Sequence, residues 1–353
     1  MPVLILHTSD LHLDSQVPAR QRGLERVLAC AREHEVDLLV VAGDLFHSPL
    51  EAERLRPRLR GLFSGNPFQV IIIAGNHDRA AFQSGEYLGS DVTVLGVDAV
   101  GWVDFPSCRV VCLPPSDRSF LEMVPELQQA RRPGVRNLLV LHCTLLAPFL
   151  RLEDFGPEEH ARYLPVTLSM LDATGYDYVL AGHFHSRFDV RRGNRCVFVY
   201  PGSPVAITRR EQGKRMVNLL DLERGPTGLY LDTFYYHTIN VELTPGREAE
   251  VLEVQLPSAL DALRDEDVEV ELVVSGLISW PEDRFSRTLR RLLDGRRNVR
   301  LREQYQSVSV AIEDPLYARI CRRLASEDCS PDERAALEAE ILRALAAYRL
   351  RRF

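Results

Sequence analysis

The sequence predicts an α/β fold with a small α+β unit and terminal helices appended, and two observations carry that prediction. Short β-branched apolar runs, too brief for buried helices, alternate with amphipathic stretches along the first two thirds of the 353 residues. Those runs also end in polar clusters. Residues 70–74 are apolar and stop at Gly75-Asn76-His77-Asp78; residues 3–6 run into Asp10-Leu11-His12, 38–42 into Gly43-Asp44, 138–141 into His142, and 179–181 into Gly182-His183-Phe184-His185. In one α/β fold the carboxyl ends of such strands form a common rim, where ligands are held. Carboxylate, amide and imidazole without thiolate suit hard or borderline divalent cations, and so many such groups exceed one tetrahedral site. Two metal ions sharing a carboxylate is the economical reading.

Composition limits the alternatives. The length fits a catalytic domain of about 240 residues with one or two smaller units, and 45% hydrophobic residues supply a core. The seven cysteines (30, 108, 112, 143, 196, 321, 329) show no CxxC spacing, which argues for reduced thiols; Cys143, beside His142, is read as a small packed residue. No apolar run approaches the roughly 18 residues of a membrane span, and no basic region precedes the first apolar stretch, so a cytoplasmic protein without membrane contact is expected. The net charge of −7 does not by itself suggest a nucleic-acid partner, although phosphate backbones are held by local patches. Of 43 basic residues only Lys214 is lysine, a bias that a GC-rich genome also produces.

In chain order, Asp10 and His12 lie two apart on an irregular segment and can converge on one ion, while His7, at the strand end, is read as packed. A helix is expected over residues 18–34, with proline at its start and Leu24, Val27, Leu28 and Ala31 at helical spacing. Gly43 permits the tight turn that presents Asp44, a carboxylate able to bridge two cations. His47 is within reach of the same site, and as a lone histidine it is equally well a surface residue. After a helix over 51–63, Asn76 offers a neutral oxygen, His77 points toward substrate, and Asp78 accepts from a histidine N–H. Strands over 92–95 and 109–113 and a helix over 117–130 precede His142. Residues 147–165, with three prolines and several acids, read as a surface excursion. His183 and His185 flank Phe184 on an extended segment, so both imidazoles project one way and Phe184 the other. Strands over 188–190, 196–200, 217–222 and 228–235 follow as an antiparallel run.

The set Asp10-x-His12, Gly43-Asp44, Gly75-Asn76-His77-Asp78, His142 and Gly182-His183-x-His185 resembles the calcineurin-like metallophosphoesterase superfamily, over about residues 1–240. The phrases Ser9-Asp10-Leu11-His12-Leu13, Gly43-Asp44-Leu45-Phe46-His47 and Tyr200-Pro201-Gly202-Ser203 resemble its DNA-repair nuclease branch, the SbcD and YhaO-like proteins. Asp14 stands where many SbcD-type chains carry glycine, as in YhaO-like sequences, which leaves the subgroup and the partner open. The resemblance implies a four-layer α-β-β-α sandwich with a small C-terminal cap domain. It implies that Asp10, His12, Asp44 and His185 hold one ion and Asp44, Asn76, His142 and His183 the other, with manganese the family precedent. Two such ions orient the diester and activate water for in-line attack. By the same resemblance His77 faces substrate as an acid or phosphoryl-oxygen donor, and His47 positions the phosphate.

Beyond residue 240 the pattern changes, and the expected division is 1–243, 244–312 and 313–353, with Thr244-Pro245-Gly246 at the first boundary. A strand over 268–274, a helix over 281–293 and a strand over 299–310 make a β-α-β unit, which in the nuclease branch caps the active site and contacts DNA. Arg290, Arg291, Arg296, Arg297, Arg300 and Arg302 are candidate DNA contacts or a solvated face. Two helices follow, over 315–326 and 331–349, the second with a capping box at Ser330–Glu333 and a stripe of Leu337, Ile341, Leu345 and Tyr348. The stripe packs on the cap or docks on the coiled coil of an SbcC-like ATPase, as the resemblance implies together with a homodimer. The expected function is a two-metal DNA nuclease of repair. The alternatives are a phosphodiesterase or phosphatase for a small molecule or phosphoprotein, and a scaffold that has lost catalysis, against which the intact ligand set speaks.

Overall fold

The computed structural model describes residues 3–82, 87–147, 163–263, 267–327 and 329–350. They form two compact units, Met1–Tyr236 and His237–Phe353.

In the first unit β1 (Leu4–Thr8), α1 (Pro18–Glu33), β2 (Leu38–Ala42), α2 (Pro49–Leu62), β3 (Gln69–Ile73) and β4 (Val92–Val94) make one parallel α/β half. The second half comprises β5 (Gly101–Asp104), β6 (Cys108–Cys112), α3 (Phe120–Ala130), β7 (Arg136–His142), the short β8 (Thr144–Leu145) and β9 (Pro165–Val166), α4 (Leu168–Thr174) and β10 (Tyr178–Gly182). β11 (Asp189–Arg192), β12 (Val197–Tyr200), β13 (Met216–Asp221) and β14 (Gly225–Tyr230) complete the unit. Two six-stranded sheets result, in the orders β14-β13-β1-β2-β3-β4 and β11-β12-β10-β7-β6-β5.

The strands are continuously apolar because both faces of each sheet are covered. With period two, Leu38, Val40, Ile71 and Ile73 of one sheet meet Val110, Leu138, Val140 and Leu180 of the other, in a core between the sheets. Leu39, Val41 and Ile72 face outward onto Leu24, Val27 and Leu28 of α1 and Leu55 and Leu59 of α2. Leu139, Leu141, Val179 and Ala181 likewise face Met123 and Leu127 of α3 and Leu171 of α4. This is the four-layer α-β-β-α sandwich.

Strand pairing and backbone conformation overturn two expectations. The strands after residue 188 are not one antiparallel run: β11 and β12 form a hairpin at the edge of the second sheet, where β12 pairs parallel with β10, whereas β13 and β14 form a hairpin that joins the first sheet beside β1. The segment Gly182–His185 is not extended, since His183 has φ +93°; Phe184 is nonetheless buried and stacks on Tyr200. Of the excursion at 147–165, residues 148–162 lie outside the described residues.

The chain passes into the second unit along β15 (Tyr235–Leu243), which forms a three-stranded sheet with β16 (Val268–Ile278) and β17 (Val299–Ser307), in that order. Thr244-Pro245-Gly246 therefore follows this unit's first strand. β16 and β17 are parallel, and the helix Glu282–Leu292 between them buries Phe285 and Leu289 against Leu272 and Val274. The last helices are Pro315–Leu324 and Pro331–Leu350, with Ser330 and Glu333 forming the expected cap. Leu342 and Ala346 bury against Leu277, Val308 and Ala311 with Leu345 alongside, while Leu337 and Tyr348 are exposed, so the packed stripe is displaced from the predicted one.

Candidate metal centre

The loops that follow β1 and β2 are laced together by backbone hydrogen bonds: Asp10 N to Gly43 O (3.1 Å), His12 N to Asp44 O (2.9 Å) and Leu13 N to Leu45 O (2.8 Å). This lacing holds residues in a left-handed conformation that side chains ordinarily avoid. Asp10 (φ +55°), His12 (φ +44°), Asp44 (φ +51°) and His183 (φ +93°) are four of the six non-glycine residues with positive φ among the described residues. Each such residue costs about 1–3 kcal/mol and persists where its surroundings dictate it. Here the conformation accompanies side chains gathered at the strand tips. Gly75 is required because a Cβ there would run into the Asp44 carboxylate, and one at Gly182 would meet Ala42 O and the His142 ring.

The groups converge. His142 Nε2 lies 3.2 Å from Asp44 Oδ2 and 3.9 Å from Asp10 Oδ1, His185 Nε2 lies 3.5 Å from Asp10 Oδ1, and His12 Nε2 lies 3.7 Å from Asp44 Oδ2 and 3.3 Å from His185 Nε2. All five residues are buried. The His183 ring is 5.1 Å from that of His142, and the His183 backbone N–H donates to both Asp10 oxygens at 3.1 and 3.0 Å. Asn76, half-buried, directly follows Gly75, and His77 N donates to Asp44 Oδ1 at 3.0 Å. His142 Nδ1 donates to Ala42 O at 2.9 Å, which leaves Nε2 aimed into the cluster.

Electrostatics shows what the cluster accommodates. Burial alone would raise the Asp10 carboxyl, but contact with His185 and the charge of His142 bring it down to about 2. Burial opposes ionisation of Asp44 as well, yet His142 and His12 hold it below the usual carboxylate range. Burial disfavours charge on His142, and Asp44 and Asp10 outweigh it, raising the group to about 10; His12, where burial wins, falls to about 3. Two buried carboxylates are thus balanced by imidazolium protons, the positions at which cationic charge is called for. Asp44 Oδ2 and His142 Nε2 are buried without a hydrogen bond of good geometry, although they face each other. Carboxylate and imidazole donors on Asp10, His12 and His185, and on Asp10, Asp44 and His142, lie close enough to share an ion. The residues present therefore fit divalent cations.

The family model described as calcineurin-like phosphoesterase matches residues 3–187. The chain belongs to the calcineurin-like phosphoesterase family. The DNA double-strand break repair protein Mre11 of Methanopyrus kandleri is 26% identical over 298 residues, 70% of this chain and 58% of that one. The uncharacterized metallophosphoesterase YhaO of Bacillus subtilis is 27% identical over 253 residues, 62% of this chain and 57% of that one. The SbcD component of the nuclease SbcCD from Escherichia coli is 35% identical over 86 residues, 22% of each chain. The chain thus spans less than two thirds of the length of each.

Around the candidate metal centre of this phosphoesterase, the remaining residues sort by place. His47 is exposed and His77 half-buried, their rings stacked with centroids 6.1 Å apart and 6.0 and 4.9 Å from that of His12. Asp78 does not take the expected role. Its oxygens accept from Gly75 N (2.8 Å) and Phe46 N (3.1 Å), so it pins the β2 and β3 tips together through the backbone. Burial and then the Asp44 charge raise it to about 7. His7 is buried against Asn218, and Cys143 is packed, as expected.

The six arginines belong to the second unit. Arg290 pairs with Glu303 and Arg296 with Asp261, while Arg291, Arg297, Arg300 and Arg302 are exposed, the last two on the edge strand β17. Sequence reasoning missed Tyr163, whose ring lies 5.8 Å from His142 and 6.0 Å from His183, and the buried Glu211 and Arg215. Glu211 sits in Arg209-Arg210-Glu211-Gln212-Gly213, with no apolar strand leading into it, and reads as a solvated turn.

Proposed function

We propose that this phosphoesterase is a DNA nuclease: with two divalent cations, manganese by family precedent, it hydrolyses DNA phosphodiester bonds in repair, beside an SbcC-like ATPase. Among its relatives one is named as part of a nuclease and another as a DNA double-strand break repair protein. The observation that carries the reading is the stacked pair His47 and His77 at the edge of the buried cage beside His12, with which they also lie close enough to share an ion. Bound cations would supply the charge that activates water and neutralises the phosphodiester.

The chain's own residues divide the rest of the work. Asp10, His12, Asp44 and His185 would hold one ion, and Asp44, Asn76, His142 and His183 the other, with Asp44 shared. His77, tied to Asp44 through its backbone N–H, protonates the leaving 3′ oxygen, a poor leaving group without a proton. His47, more exposed, orients a non-bridging phosphate oxygen. Arg300 and Arg302, exposed on β17 of the second unit, contact DNA phosphates. Exposed Leu316, Leu337 and Tyr348 on the C-terminal helices support docking to a coiled coil; a cytoplasmic homodimer is the assembly that the family precedent adds to this reading.

Purified protein with manganese is given linear duplex DNA, single-stranded DNA and bis-p-nitrophenyl phosphate, with His77→Ala as control. DNA cleavage that the variant loses is the expected result. Turnover of the chromogenic diester with neither DNA attacked would replace the nuclease by a small-molecule phosphodiesterase.

A further inference from the structure

The turn between β12 and β13 brings a buried carboxylate to the back of the cage. Glu211 is 1% exposed, and its Oε1 lies 3.6 Å from His185 Nδ1, the ring nitrogen opposite the one that faces Asp10 and His12. We infer that Glu211 is a positioning residue, which sets the tautomer and ring orientation of His185 and thereby the affinity of the ion that His185 holds with Asp10 and His12. The inference rests on the two-cation reading of the centre.

Three features of the structure support it. His185 Nδ1 is buried with no hydrogen bond, and Glu211 stands within a few tenths of an ångström of making one. His142 shows the completed form of the same device, with Nδ1 on Ala42 O at 2.9 Å and Nε2 turned into the cluster. Glu211 is itself held by four donors: Ser203 Oγ (2.9 Å), Ile207 N (2.7 Å), Thr208 N (3.1 Å) and Thr208 Oγ1 (3.0 Å). A carboxylate so fixed cannot swing away to solvent.

The other end of His185 is clamped as well. Its carbonyl accepts from Ser203 N (3.1 Å) and the guanidinium of Arg215, which is 2% exposed and also donates to Ser203 O (2.9 Å) and Ser186 O (3.0 Å). Burying an acid and an arginine is costly, and a turn needing only solubility would leave both in water. Behind a metal ligand their charges act: a carboxylate on the far nitrogen makes the imidazole a more basic donor.

The test measures manganese uptake by calorimetry, and by the electron paramagnetic resonance of coupled and isolated Mn(II), in wild type, Glu211→Gln, Glu211→Asp, His185→Ala and the double variant His185→Ala/Glu211→Gln. Circular dichroism of each metal-free protein checks the fold. Glu211→Gln is expected to weaken one of the two ions by about 10–100-fold, the range for partners behind a ligand, and to leave the other. The coupled-pair signal then gives way to that of isolated Mn(II). Glu211→Asp, which keeps the charge but withdraws it, shifts the same ion less and serves if the glutamine variant does not fold. In the His185→Ala background Glu211→Gln is expected to change nothing further. Wild-type affinity for both ions in both Glu211 variants, or an equal further loss without His185, overturns the inference while leaving a two-ion centre in place. A wild-type protein that takes up no cation overturns the two-cation reading and this inference with it.

Discussion

His142 Nε2 lies 3.2 Å from Asp44 Oδ2, although one residue ends a strand of the second sheet and the other follows a strand of the first. The pair is buried and bridges the two sheets at their carboxyl edge, so the centre forms only when both sheets are packed. Binding of a cation at this candidate centre would therefore be coupled to folding of the first unit.

Manganese is expected to raise the thermal midpoint of the wild type. At 100 times the dissociation constant the gain is about 2.7 kcal/mol, or about 5–10 °C for a unit of this size. Differential scanning fluorimetry with manganese and with a chelator reads it. Asp44→Asn should show no such response; an equal shift in that variant would place the ion elsewhere.

Gly75→Ala drives a Cβ into the Asp44 carboxylate and is expected to abolish the manganese shift and diester turnover. Gly61→Ala, an exposed position near the end of α2 with nothing within 4 Å of the added carbon, is expected to gain about 0.5 kcal/mol with activity unchanged. Equal behaviour of the two variants would remove the steric argument.

His77→Ala is expected to lower turnover of DNA by about 10²–10⁴-fold, as loss of a general acid does. The loss on bis-p-nitrophenyl phosphate should be smaller, because nitrophenolate departs without a proton. Manganese affinity should be unchanged. Equal losses on both substrates would point to phosphate binding instead of proton transfer.

Arg300→Ala and Arg302→Ala are each expected to reduce the slope of log affinity for DNA against log salt by about 1, as one lost phosphate contact does. Arg290 and Arg296, engaged with Glu303 and Asp261, should matter less. Fluorescence anisotropy across a salt series separates the four; unchanged slopes throughout would take DNA off this strand.

Asp172 accepts from the backbone amides of Asn194 (2.8 Å), Arg195 (2.9 Å) and Cys196 (3.1 Å), closing the turn from β11 to β12. Burial alone would raise this carboxyl, but those amides outweigh it and the folded value lies below the ordinary one. Its contribution is therefore complete above the unfolded value of about 3.9 and fades as pH falls through the folded value. Asp172→Asn is expected to cost about 1.5–3 kcal/mol at neutral pH. The gap in melting temperature should begin to narrow near about pH 4 and close only once pH is below the folded value; a gap constant with pH would mean that the charge is not responsible.

What is legible in the chain follows from local chemistry. An apolar run such as Leu38–Ala42 is a strand buried on both faces wherever it lies, and a polar cluster behind it has to sit at the strand's tip. That logic locates Asp10, His12, Asp44, His142 and His185 from the sequence. It fails where the partner is remote or the backbone unusual. Asp78 looks free to hold a histidine, but two amides from different tips claim it. His183 looks extended, but its backbone N–H has to reach Asp10, 173 residues away, and the chain turns left-handed there.

The two hairpins after residue 188 show the same division. Their strands are evident from alternation, but their sheets are not, because pairing depends on which edge is open once both sheets have formed. Glu211 is the extreme case, a charged residue in a charged turn that only tertiary packing places 3.6 Å from His185. By itself the sequence determined the elements and the chemical types at their ends, since both follow from neighbours a few residues apart. Only the tertiary structure decided which of those ends meet and which buried charges stand behind them, since those distances are set by how two sheets pack.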